Sequence, residues 1–168
     1  GQAMGEGDPV RARFVGWVGV GVSVAFGAVS ALGIALFRWQ IAAAYTSDPA
    51  VQAVTADLLL FAALFQLSDA TQVATASAIR GYQVTRPPMV IQLLSFWGLS
   101  LPLGCILGLA PQWFPWAPSE PMQATGFWIG LVVALTVAAA LLTWQFERLA
   151  RQRIREGAQQ QLPTSVTA

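Results

Sequence analysis

Long apolar stretches alternate with short polar ones along most of this chain. Residues 14–37, FVGWVGVGVSVAFGAVSALGIALF, are 24 consecutive uncharged positions. As a helix they extend about 36 Å, enough to cross a hydrocarbon core of roughly 30 Å with some tilt. Residues 51–79 form a second stretch, interrupted by Asp57 and Asp69. Before it, Ser47 or Asp48 is placed to cap a helix whose first position is Pro49. Residues 89–110 form a third stretch, in which Pro102 is expected to kink the helix or leave one carbonyl without its donor. Residues 124–146 form a fourth. The pattern predicts an all-α integral membrane protein with four transmembrane helices.

The polar connections orient these spans. Arg11 and Arg13 precede span one, Arg80 and Arg86 lie between spans two and three, and Arg148, Arg151, Arg153 and Arg155 follow span four. Only Arg38 falls on the other side. Short cytoplasmic loops collect arginine, so both termini are expected in the cytoplasm. Residues 1–13 then read as a cytoplasmic loop, 14–148 as the membrane region, and 149–168 as a polar cytoplasmic tail without fixed structure. Trp39, Trp113 and Trp116 fall at the outer interface, and Trp17 and Trp144 at the inner one, as aromatic anchors do. The segment PQWFPWAPSEP holds four prolines and is expected to be a stiff external loop. The opening GQAMGEGDPVRARF is too polar for a secretory signal, and the chain reads as a piece of something longer.

Composition agrees with the span pattern and excludes several functions. The chain is 55% hydrophobic and 10% charged, where a soluble domain carries about 25% charged residues. A net charge of +1 supplies no field for nucleic acid. With no histidine and one cysteine, Cys/His metal sites are excluded. Cys105 lies in an apolar run, has no imidazole to activate it, and reads as a small buried hydrophobe. No catalytic set or phosphate loop is recognisable, so the protein is not expected to be an enzyme and needs no cofactor.

Lipid provides no hydrophobic drive for helix association, so small residues at four-residue spacing mark close backbone approach. Span one carries Gly19, Ser23, Gly27, Ala31 and Ala35; span three Ser100, Gly104 and Gly108; span four Gly126, Gly130, Ala134 and Ala138. Three such rows predict a tight bundle. It could be completed by other helices of the same polypeptide or by further copies of the chain.

Asp69 is the candidate for chemistry. It divides the uncharged core of span two into pieces of 11 and 10 residues. Asp57 falls near the outer interface, and twelve residues further on Asp69 lies about 18 Å deeper, near the midplane. A central aspartate costs roughly 2.5–3.5 kcal/mol on insertion, so it should face protein or a water-filled cavity. On a helical wheel Phe65, Ser68, Asp69, Gln72 and Thr75 fall on one half, and together with Gln66 these are the expected cavity lining. A desolvated carboxylate can exchange a proton or hold a cation, and ion coupling is preferred here to a merely structural hydrogen bond. Glu147, with Arg148, Arg151 and Arg155, reads as a solvated helix end with i,i+4 pairs.

GQAMGEGDPVRAR, FQLSDATQVATASAIRGYQVTR with the following PPM, and FWGLSLPLG resemble the C-terminal part of the multidrug and toxic compound extrusion (MATE) transporters. The resemblance covers Gly1 to about Arg148, and the four spans match the ninth to twelfth of twelve helices arranged in two lobes. It implies export of organic, often cationic compounds across the bacterial inner membrane, in exchange for sodium or protons, by rocking of the lobes around a central cavity. The lipid bilayer, the drugs themselves and the missing N-terminal helices would be the partners. Asp69 matches the acidic residue that contributes to cation binding in sodium-coupled members. Phe65 stands where some of these have an assisting tyrosine, a departure that removes an oxygen and puts sodium in question. The acidic partner from the seventh helix would lie outside this chain. Val84 replaces an acidic residue that often precedes the threonine of a DTR motif, which touches a loop contact rather than transport. The alternatives to this transporter are a small four-span homodimeric exporter and a structural membrane subunit in which Asp69 only fastens helices.

Overall fold

The computed structural model describes residues 2–110, 115 and 118–160. Its elements are α1 (Gln2–Gly5), α2 (Pro9–Leu36), α3 (Arg38–Tyr45), α4 (Pro49–Gly81), α5 (Arg86–Leu93), a π-helical segment (Leu94–Ser100), α6 (Leu101–Leu109) and α7 (Gln123–Gln160). Four continuous helical stretches are long and apolar enough to cross a membrane: α2, α4, α5 through α6, and α7, with mean hydropathies of 2.0, 1.7, 1.8 and 2.2. Trp113, Trp116, most of the proline-rich outer loop and residues 161–168 lie outside the described residues.

Local chemistry sets the helix starts. Asp8 caps α2, its Oδ1 accepting from the Arg11 N–H at 2.9 Å, and Pro9 follows. Asp48 caps α4 in the same way, accepting from the Ala50 N–H at 2.9 Å ahead of Pro49. In both helices proline takes a position whose N–H has no intrahelical partner.

Three segments differ from the sequence expectation. Residues 9–13 are the first turns of α2 rather than loop. The stretch after span one breaks the helix twice, at Phe37 and again at residues 46–48, and between the breaks α3 is helical and packs on α4. Residues 149–160, expected as structureless tail, continue α7. Leu149 and Ala150 are buried against the rest of the bundle, and Arg151, Gln152 and Arg153 make i,i±4 or i,i+3 contacts with Glu147 and Glu156. Burial and these pairs sustain a helix that composition alone argued against.

Helix α4 lies between α2 and α7, and α7 between α4 and α6. A cluster of buried side chains joins α2, α4 and α7 at the end of the bundle near α1: Ala12, Ala76, Ile79, Tyr82, Leu142 and Phe146 meet there. Glycine contacts hold the opposite half. A methyl placed on Gly126 would sit 2.5 Å from the Gly108 nitrogen, and one on Gly130 would sit 2.7 Å from the Gly104 nitrogen. Gly104 and Gly108 in turn accept the Phe127 ring at distances a side chain would close. Gly27 meets Ala70 of α4. Gly19, from the same row, has nothing within 4 Å; Gly16, three residues earlier, is the one that lies against the Phe146 ring.

The helix changes its winding ahead of Pro102. The seven residues before α6 form the π-helical segment, and the Leu101 N–H reaches the Phe96 carbonyl five residues back. Proline removes the N–H that would continue the four-residue ladder, and the wider turn rearranges the preceding carbonyls.

Candidate functional site

Asp69 sits midway along α4, twenty residues after Pro49 and twelve before Gly81. Its carboxylate is half-buried on the wall of a groove of about 900 Å³ between α2 and α4. Ser23 and Phe26 face it from α2, Val73 and Ser77 continue its own wall, and Tyr82 closes the end nearest the termini. Among the described residues Asp69 makes no hydrogen bond or ion pair, so its oxygens are free toward whatever fills the groove.

The other expected lining residues are not beside it. Phe65 packs edge-on against Trp128 of α7, with ring centroids 6.2 Å apart. Gln66 is half-buried, its backbone oxygen 3.5 Å from the methyl position of Gly27. Ser68 turns toward α7, its Oγ 3.0 Å from Thr136 Oγ1. Gln72 is buried inside the bundle with Oε1 unpartnered, and Thr75 is fully buried, donating to the Thr71 carbonyl at 2.7 Å. Of the expected lining residues only Asp69 reaches this groove, and the α4 wall around it is Ala70, Val73, Ala74 and Ser77. The reason is geometric. A wheel gives the angles between side chains on α4 but not the directions of its neighbours. With α2 on one flank and α7 on the other, the wedge around Gln72, Thr75, Ala76 and Ile79 is buried, and Asp69 lies at its edge.

A second polar site was legible in the sequence only in its i,i+4 pair between Glu147 and Arg151. Glu147 accepts from Arg13 Nε at 3.1 Å and from Arg13 Nη2, from Trp17 Nε1 at 3.1 Å, and from Arg151 Nε at 2.7 Å. Its side chain is 20% exposed, so the solvated helix end has to be corrected to a clamp between α7 and α2. Only the Arg151 pair has a local spacing; Arg13 and Trp17 are 134 and 130 residues away. Glu147 follows the last apolar residue of span four. Partial burial pushes its carboxyl up, but the hydrogen bonds from Arg151, Arg13 and Trp17 outweigh this and hold it down at about 2. Nearby, Arg11 pairs with Glu6 at 2.7 Å, and Arg148 stacks 5.4 Å from the Trp144 ring centroid.

Four helices of membrane-crossing length, large apolar side chains exposed along them and a carboxylate at mid-span define a multi-pass α-helical membrane protein. Comparison with known proteins narrows this. The family model described as MatE matches residues 1–106, and the chain belongs to that family. It is 47% identical over 156 residues to the multidrug resistance protein PmpM of Pseudomonas aeruginosa, covering 93% of this chain and 32% of PmpM. It is 42% identical over 158 residues to a probable multidrug resistance protein NorM of Xanthomonas campestris, with 94% and 32% covered. A NorM of Neisseria meningitidis is 36% identical over 155 residues, with 92% and 32% covered. The chain thus spans about a third of the length of these relatives.

Proposed function

We infer that this chain forms the C-terminal four helices of a secondary multidrug antiporter of the bacterial inner membrane, and that Asp69 carries its coupling ion. Family membership and the names of the relatives support drug extrusion. The observation that carries the coupling role is the unpartnered carboxylate at mid-span, facing a groove of about 900 Å³. In hydrocarbon such a group is retained only where protein or water meets it. The remaining helices of the polypeptide supply the far wall, and both termini lie in the cytoplasm, in keeping with the arginine distribution.

The ion is a proton or sodium. Phe65 stacks on Trp128 and offers Asp69 no oxygen, and sodium needs several oxygen ligands, so the proton is favoured. The carboxylate takes a proton on the outside, releases it inside and loses its competition with an organic, often cationic substrate in alternate states of the cavity. This is transport, with no covalent chemistry.

The test is made on the complete protein in cells lacking their own efflux pumps. Asp69→Asn is expected to abolish drug efflux and substrate-induced proton release while membrane abundance stays constant. Undiminished efflux in that variant would remove the coupling role.

A further inference from the structure

The four-helix row has a second groove, and its chemistry differs from that at Asp69. It measures about 660 Å³ and runs between α4 and α7 on the flank turned away from Asp69, from Ser68 and Thr136 at one end to Trp17, Trp144 and Glu147 at the other. Four hydroxyls line it, yet each is already engaged. Thr71 donates to the Leu67 carbonyl at 2.9 Å, Thr136 to Val132 at 2.7 Å and Thr143 to Ala139 at 2.7 Å, while Ser68 pairs with Thr136 at 3.0 Å. The walls between the two ends therefore present hydrocarbon with no free hydroxyl, which suits an acyl chain and not a polar solute.

Length and charge identify the occupant further. Thr136 and Glu147 are eleven residues apart on one helix, roughly 16 Å, about half the 30 Å hydrocarbon thickness and so the depth of one leaflet. At the mouth, Trp17 and Trp144 stand where interfacial aromatics stand. Arg148 covers the Trp144 ring, and Arg151 holds Glu147. Glu147 answers one of the three cations Arg13, Arg148 and Arg151, leaving a surplus of two positive charges at headgroup level. Arg148 touches only the Trp144 ring among the contacts described, and Arg151 engages Glu147 through Nε, which leaves its two terminal nitrogens to reach a phosphate beyond the groove.

We propose that this groove seats one anionic phospholipid of the leaflet on the side of the termini, its acyl chain between α4 and α7 and its phosphate against Arg148 and Arg151. The inference is independent of the coupling role of Asp69, which faces the other groove. It divides the surface of the bundle: the Asp69 flank meets protein, and the Trp144 flank meets lipid.

Native mass spectrometry of the complete protein, purified and incubated with equal amounts of phosphatidylglycerol and phosphatidylcholine, provides the test. Phosphatidylglycerol should be retained in preference by on the order of tenfold, and R148Q/R151Q should bring the two lipids level. Equal retention by the unaltered protein, or an undiminished preference in the double variant, overturns the proposal. Ala140 lines the groove, and a nitroxide at Ala140→Cys in a background free of other cysteines gives a second measurement in lipid nanodiscs. Collision with dissolved oxygen but not with a water-soluble nickel chelate supports a lipid occupant. Protection from both reagents means that a protein segment covers the groove, and the proposal falls.

Discussion

Glu147 gathers four donors from three residues on two helices while sitting just past an apolar span. Such a carboxylate is costly to remove, because Arg13 and Trp17 would then face the bilayer boundary without their acceptor. Glu147→Gln in the complete protein is expected to lower folded-state stability by on the order of 1–3 kcal/mol, read as a lower melting temperature in detergent. Arg13→Gln should give a similar loss, and the double variant less than the sum. The sign of the pH dependence follows from the depressed carboxyl. Its folded value of about 2 lies below the ordinary 4.5, so the clamp's contribution is fully present above pH 4.5. It fades as the pH falls from there through about 2. The acid limb of the melting curve should flatten in Glu147→Gln; an unaltered limb would show that another carboxylate controls it. At neutral pH the clamp does not titrate, which separates it from the proton chemistry assigned to Asp69.

Among elements, α6 and α7 make the tightest backbone contact, with a looser one between α2 and α4 at Gly27. Gly126 and Gly130 approach the nitrogens of Gly108 and Gly104 so closely that no β-carbon fits. Gly126→Val is accordingly expected to destabilise the bundle by roughly 1–3 kcal/mol and to reduce membrane abundance. Gly19→Ala should leave abundance unchanged or slightly raised, because open space surrounds it and alanine is the better helix former. Equal effects of the two changes would mean that the packing is not the one described. Anchoring by glycines also explains how the third span tolerates its irregularity. Helix α6 is held against α7 through Gly104 and Gly108, while the π-helical segment ahead of Pro102 takes up the change of register.

As a whole, the bundle is a row and not a closed barrel of helices. Phe14, Val22, Phe26 and Val29 of α2 are exposed, as are Leu93, Leu94 and Trp97 of the third span. Lipid covers some of these, but the half-buried Asp69 beside Phe26 requires protein or water. The relatives are about three times as long, and a cavity with only one wall cannot alternate its access. The 168-residue chain alone, reconstituted in vesicles, is therefore expected to move no drug across the membrane; measurable substrate-driven uptake would favour a homodimeric exporter.

The four spans and a cap at Asp48 ahead of Pro49 were legible in the sequence, because each depends on composition or on spacing along one helix; the cap at Asp8 was not, since residues 1–13 read as loop. What the sequence left open lies between helices. It could not tell that Ser68 turns to Thr136 while Asp69 turns toward α2, nor that Gly19 faces empty space and Gly16 faces Phe146. It could not bring Arg13 to Glu147 across 134 residues. Periodicity specifies how side chains are arranged around one axis; only the placement of neighbouring axes decides which of them are buried, which are paired and which open into a groove.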